Sequence, residues 1–366
     1  VKMKTYPIPM VPGPVRVPEM VLDALRFDYG SGDLESDFLE LYNQTETRLQ
    51  QILGTRNPVA IQTGEGMLAL WGALKSCMQP GERLLALATG VFGYGIADMA
   101  RSIGVDVRIV GFGYDETLHD WARIEQAIIE YRPKMISVVH CETPSGTLNP
   151  LEELGRLKRQ YGVPLLYTDV VASLGGAPVQ VDDWGIDLAL GGTQKCLSAP
   201  PNMAFVSISP AAWEIIEQVN YSGYDALKPF HSAQADFYFP YTPYWQGIAA
   251  LHCAAQILLD EGLENGFRRH AEVAELCRGG LTDIGLQLYP AKKAIPSPTV
   301  SAVKVPEGFT WDEFDRRLRQ EGLVVGGSYG PLSGKVFRLG HMGSQADQGL
   351  VQQALDVIAK VLTLPK

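Results

Sequence analysis

A chain of 366 residues, 46 % of them apolar and 20 % charged, can build a large α/β domain with a smaller companion and is too hydrophobic for a disordered chain. Its 31 basic and 41 acidic side chains leave a formal charge of -10 and no basic run, which argues against nucleic acid and anionic membrane as partners. No apolar run approaches the roughly 18 residues of a membrane span.

The opening residues Val1–Met10 carry Lys2, Lys4, Pro7 and Pro9, so they do not read as a signal peptide. From about Asn57, short apolar β-rich runs alternate with amphipathic stretches. Strands are expected at Val59–Gln62, Leu84–Ala88, Val107–Val110, Met135–Val139, Pro164–Tyr167, Leu188–Leu190 and Ala204–Ile208. Helical patterns at Met67–Met78, Ile96–Ile103, Asp120–Tyr131 and Pro150–Tyr161 lie between them. That alternation predicts a mostly parallel sheet covered on both faces. Gln246–Gly262 reads as a bridging helix. Beyond it, strands at Thr299–Lys304, Leu323–Gly326 and Val336–Leu339 sit among helices at Leu263–Ile284, Trp311–Glu321 and Ala346–Val361. This is the pattern of a smaller α+β domain. The five cysteines are scattered, with no CxxC. Neither a disulfide framework nor a metal site is expected, and a reducing cytoplasm suits them.

Thr63-Gly-Glu-Gly-Met-Leu-Ala69 follows a strand and opens a helix, in the form G-x-G-x-x-A. A nicotinamide dehydrogenase needs an acid about 20 residues on, at the end of the next strand, to hold the ribose. That strand ends Leu87-Ala-Thr-Gly90, without one. What survives is a glycine turn whose free amides make a nest for one phosphate, or a plain tight turn.

Asp169 ends the apolar run Pro-Leu-Leu-Tyr-Thr-Asp, where open α/β sheets bind ligands. Lys195 stands in a small-residue stretch, Gly-Gly-Thr-Gln-Lys195-Cys-Leu-Ser-Ala-Pro-Pro201. A lysine shielded from water loses its proton more easily and becomes a nucleophilic amine. A lysine and an acid at strand ends are what pyridoxal needs: the amine forms an imine and the carboxylate pairs with the ring nitrogen. On residue types alone, a snorkelling lysine and a helix-capping aspartate explain them equally.

These two segments closely resemble fold-type I aminotransferases of class V, and within that class the serine–pyruvate/alanine–glyoxylate branch. The likeness runs through Val11-Pro-Gly-Pro14, Thr63-Gly-Glu-Gly66, Gly90-Val-Phe-Gly93, His140-Cys-Glu-Thr-Pro-Ser-Gly-Thr-Leu-Asn-Pro150, Ser297-Pro-Thr299 and Gly334-Lys-Val-Phe-Arg338-Leu-Gly-His-Met-Gly343. The resemblance implies an N-terminal arm over residues 1–15, a large cofactor-binding domain with a mostly parallel seven-stranded sheet over 16–258, and a small α+β domain over 259–366. It implies pyridoxal 5′-phosphate as cofactor, with transamination between an alanine- or serine-like 2-amino acid and a pyruvate- or glyoxylate-like 2-oxo acid through an aldimine on Lys195. Asp169 would pair with the ring nitrogen, Phe92 would stack on the ring and Thr143 would bond its hydroxyl. Gly64, Glu65, Gly66, Met67 and Gln194 would surround the phosphate. Tyr241 would be a further cofactor-binding residue, and Thr242 falls where the family reaches the phosphate from a neighbouring subunit, so a homodimer with active sites at its interface is implied. Arg338 would grip the substrate carboxylate, for which a two-pronged guanidinium suits better than lysine.

Two positions depart from the pattern: Glu65 replaces a small serine in the phosphate loop, and Asn202 replaces a glycine. Glu65 also brings pyridoxamine–pyruvate aminotransferase close, a relative that uses free pyridoxamine as substrate, although Tyr329 stands where that enzyme places an arginine. Because Gly66, Gln194 and Thr242 keep the apparatus for a phosphate, Glu65 is expected to point away from the nest. Two rivals fit less well. A cysteine desulfurase-like lyase needs a mobile thiol, yet Cys253 and Cys277 lie in helical patterns. A pyridoxal-binding regulator of the DNA-binding kind needs a basic segment.

Overall fold

The computed structural model describes residues 5–363. In chain order the main strands are β1 (Ile8–Met10), β2 (Val59–Thr63), β3 (Arg83–Ala88), β4 (Asp106–Gly111), β5 (Met135–Val139), β6 (Leu165–Asp169), β7 (Leu188–Gly192), β8 (Met203–Ile208), β9 (Ser301–Lys304), β10 (Leu323–Gly327) and β11 (Val336–Leu339). The principal helices are α1 (Ser36–Leu53), α2 (Gly66–Cys77), α3 (Val91–Ser102), α4 (Trp121–Tyr131), α5 (Glu152–Gln160), α6 (Pro210–Val219), α7 (Trp245–Glu261), α8 (Leu263–Asp283), α9 (Trp311–Gln320) and α10 (Gln348–Thr363).

Seven strands form one sheet in the order β2-β8-β7-β6-β5-β3-β4. All neighbours are parallel except that β8 runs antiparallel to both β2 and β7. The near-continuous apolar runs of β5, β6 and, after the exposed Arg83, β3 are buried, as strands covered by helices on both faces must be. Each buried Leu, Ile or Val there contributes roughly 1.5–3 kcal/mol. That is enough for the strands to hold polar groups at their ends in unfavourable surroundings.

A second sheet, in the order β1-β10-β11-β9, carries its own apolar cluster with α8, α9 and α10. Here β1 pairs in parallel with β10, Ile8 opposite Leu323. No strand is expected at Ile8–Met10 from sequence, because Pro7 precedes and Pro9 interrupts so short a run; its partner lies more than 300 residues away. Among the described residues, no helix is long and apolar enough to cross a membrane.

The connections set the place of the site. From β3 the chain goes outward to β4, then returns to β5 on the other side of β3 and continues to β6 and β7. Beyond the carboxyl ends of β3 and β5 the covering segments therefore diverge and leave a crevice, the usual ligand position in an open α/β sheet.

Candidate active site

Lys195 sits in the turn between β7 and β8, where Ser198 N donates to Lys195 O at 2.9 Å. Its side chain is mostly buried and its ammonium donates to the carbonyl of Pro12. Burial pushes its pKa below the ordinary lysine value, and the Arg338 cation pushes the same way. The segment 11–14 lies over it: Val15 N donates to Gln194 O at 3.1 Å and Gln345 Nε2 to Val11 O at 2.8 Å. Gly13 has φ +84°, and a Cβ there would stand 2.5 Å from Lys195 Cδ and 2.7 Å from Nζ. Only glycine gives both that backbone angle and that clearance. The Val11-Pro-Gly-Pro14 segment was visible in the sequence, but nothing in it announced a role against the lysine.

Asp169, at the carboxyl end of β6, is buried; its Oδ1 accepts from Val171 N at 2.9 Å. Burial raises its pKa to about 6, against the opposing pull of the Val171 amide and the Lys195 cation. Among the described residues Oδ2 has no hydrogen-bond partner, and neither does the buried hydroxyl of Thr143.

Phe92 lies in the first turn of α3, half-buried. Its amide donates to Glu142 Oε2 at 3.1 Å and that of Gly93 to Glu142 Oε1 at 2.7 Å. Glu142 is fully buried, and desolvation lifts its pKa to about 7 despite these two amides. Its signal in the sequence is a lone charge within the run His140-Cys-Glu-Thr143, just beyond an apolar strand.

At the start of α2, Glu65 does not point away from the nest. It turns in, Oε2 accepting from Met67 N at 2.9 Å and Oε1 from Gln194 Nε2. The expectation of an outward Glu65 is thereby corrected, and the reason is local. A helix N-terminus presents unpaired amides, and a carboxylate at the N-cap position satisfies them and favours the helix dipole. Gln194 Oε1, on the same side chain, is buried with no partner. Gly64 N donates to Asn202 O at 2.9 Å, which ties the second departure to the same loop.

Arg338 lies on β11 with 2 % of its surface exposed. Its Nε donates to Gly327 O at 2.7 Å, Nη2 donates to the same oxygen, and Tyr329 covers the guanidinium with its ring centroid 4.6 Å from Cζ. Burial lowers its pKa while the Tyr329 hydroxyl supports the charge. With one edge held by Gly327, the Nη1 side is the edge left for a carboxylate. Tyr241 reaches the loop before the nest, its hydroxyl accepting from Thr63 N at 3.0 Å, whereas Thr242 is exposed and bonds no described residue.

The donor set fits a pyridoxal ring. Asp169, an acid with a free oxygen, and Lys195, of lowered pKa, lie within electrostatic reach of each other; Glu142, also within reach of Asp169, precedes the unpartnered Thr143 hydroxyl and holds the helix turn that bears Phe92. The 5′ end is different, because the nest amide of Met67 and the Gln194 amide are already taken by Glu65.

A sheet of this order, with a lysine after its third strand in space and an aspartate ending the fourth, defines a fold-type I pyridoxal enzyme. The comparisons agree. The model of the class V aminotransferases matches residues 17–337. An uncharacterized aminotransferase of Methanocaldococcus jannaschii is 34 % identical over 345 residues, covering 91 % of this chain and 87 % of the relative. The crystal structure of an alanine–glyoxylate aminotransferase from Nostoc sp. superposes with a TM-score of 0.94 at 30 % identity, over 99 % of this chain and 96 % of that one. A pyridoxamine–pyruvate aminotransferase from Mesorhizobium loti does so with a TM-score of 0.93 at 30 % identity, over 98 % and 92 %. The chain belongs to the class V aminotransferase family, whose enzymes depend on pyridoxal phosphate, and is a transaminase of amino and oxo acids.

Proposed function

We propose that this transaminase exchanges the amino group of a small 2-amino acid, alanine- or serine-like, with a pyruvate- or glyoxylate-like 2-oxo acid. The observation that carries the reading is geometric: Lys195 stands in the turn after β7, Asp169 ends the adjacent parallel strand β6 with one oxygen unbonded, and the buried Arg338 has one edge held by Gly327 and the other left for a carboxylate. Bound pyridoxal supplies a ring that accepts the electrons left at the substrate Cα. The chain supplies the rest. Lys195, released from the Pro12 carbonyl, would hold the pyridoxal through its amine and, once displaced by the substrate's amino group, would carry the proton at Cα. Asp169 holds the charge of the ring nitrogen, Thr143 the ring hydroxyl, and Phe92 covers one ring face. Arg338 orients the substrate carboxylate with its free edge. Gly64, Gly66, Met67 and Gln194 frame the 5′ end.

The exposed Thr242, beside the stacked pair Tyr224 and Tyr241 at 4.7 Å, supports a homodimer in which each subunit completes the other's nest. The separate apolar clusters support a division into a large domain at 16–258 and a small one at 259–366, with an arm before them. Five unpaired thiols suit a reducing cytoplasm.

One observation favours a second reading, in which free pyridoxamine is the amino donor. Glu65 and the partnerless Gln194 Oε1 offer the nest acceptors, which suit a hydroxymethyl O–H. A phosphate there is repelled by about 4 kcal/mol per pair of unit charges at roughly 4 Å, with an effective dielectric of about 20. The dipole of α2 returns roughly 0.3–2 kcal/mol of that. The test is a binding titration of the parent and of Glu65→Ser with pyridoxal and with its phosphate, alongside assays with alanine plus glyoxylate and with pyridoxamine plus pyruvate. Tighter binding of the phosphate by the parent and turnover of alanine support the first reading. A preference for free pyridoxal that reverses in Glu65→Ser, with turnover of pyridoxamine, replaces it by the second.

A further inference from the structure

We infer that Glu142 is a positioning residue: its carboxylate braces the first turn of α3 and so fixes Phe92 as the face on which the ring rests. This rests on the stacking role proposed for Phe92.

Three observations carry it. First, α3 begins at Val91, and Gly90 at its N-cap has no side chain to cap it. Its second and third amides are instead satisfied by one carboxylate arriving from the loop after β5, some fifty residues away, one oxygen to each. Second, the fit is close. A Cβ on Gly90 would stand 2.6 Å from Glu142 Cδ, and one on Gly93 3.3 Å from its Oε1, so the carboxylate has little room to sit otherwise. Third, the placement is functional rather than remote. Glu142 lies at the point where the connections of β3 and β5 diverge, next to Thr143 in sequence and within electrostatic reach of Asp169. Burying a carboxylate is costly, and a neutral side chain would serve a purely structural corner better. A charged fork across two amides gives a stiffer hold on the helix start than either single bond would.

The groups that face Glu142 are Asp169 at the end of β6, Tyr114 from the segment after β4, and Cys141, its neighbour in the loop after β5. None is cationic, so nothing but the two amides favours its charge. Its pKa near 7 therefore follows from burial, and protonation removes one of the two acceptors. The helix start is held by two bonds above that pH and by one below it.

The experiment is hydrogen exchange of the peptide spanning 89–96, read as protection corrected for intrinsic rates at several pH values. It is paired with the circular dichroism of the pyridoxal absorption band after reconstitution with pyridoxal. Glu142→Gln keeps the shape but offers one acceptor, and its NH2 meets the second amide donor to donor. Expected are protection that rises in the parent as pH passes about 7, and exchange in Glu142→Gln faster by about tenfold, the value of one hydrogen bond, and flat with pH. The band should lose much of its dichroism in the variant. Unchanged exchange, or unchanged dichroism despite faster exchange, overturns the proposal. If Glu142→Gln does not fold, Glu142→Asp decides: its stem is one methylene too short to reach both amides, so exchange and dichroism both at the parent's level overturn the proposal too. A Phe92→Leu variant separates the layers: dichroism unaffected by that change overturns the stacking reading itself, whatever Glu142 does to the exchange.

Discussion

Replacing Arg338 by lysine keeps the charge and removes the fork. In the structure Nε and Nη2 share the Gly327 carbonyl and the ring of Tyr329 lies 4.6 Å above Cζ. A hydrogen bond from a charged donor contributes about 1.5–3 kcal/mol and a cation–π contact about 0.5–2 kcal/mol. An ammonium on a shorter, flexible stem cannot meet both and still present a flat edge to a carboxylate. Impairing one partner of a buried charged pair costs about 2–5 kcal/mol. At about 1.4 kcal/mol for each factor of ten, the KM for the amino acid should rise roughly 30-fold or more. Steady-state kinetics with alanine and glyoxylate measure it, and thermal unfolding followed beside them separates the loss of the Gly327 contact from loss of substrate grip. A KM and kcat both within about a factor of two of the parent, well under the factor of ten worth about 1.4 kcal/mol, would show that the carboxylate is held elsewhere and that Arg338 only props β10.

Lys195→Ala should abolish transamination in a protein that still folds; borohydride reduction of the parent with bound pyridoxal, followed by peptide mapping, must label Lys195, and a label on another lysine refutes the assignment. Gly13→Ala should displace the Lys195 side chain, because the new Cβ falls 2.5 Å from its Cδ. It should also cost roughly 1–2 kcal/mol for a left-handed alanine. Activity down by about tenfold or more with a modest drop in melting temperature is expected, and full activity refutes the close packing of the arm on the lysine.

How much of this could be read in advance follows from which contacts are local. The seven strands of the large sheet were legible because each is an apolar run bounded by turns, and Asp169 and Lys195 were legible because both stand where such runs stop. Even the one antiparallel strand was there to be found: only ten residues separate β7 from β8, too few for the crossover a parallel neighbour needs. The start of α3 was not legible. Glycines at 90, 93 and 95 erase the helical periodicity until Ile96, and what holds the helix from Val91 is Glu142, a residue no local pattern connects to it. Glu65 is the converse case. Its chemistry beside a phosphate argued for pointing outward, but the nearer claim came from the bare amides of its own helix. Those amides are present whether or not a ligand is, so the N-cap geometry sets where the carboxylate rests. Any phosphate entering the nest has to displace an acceptor already bonded to Met67 and Gln194. The choice between vitamers is thus a competition between two anions for one set of donors, and the residue at position 65 is the one that biases it.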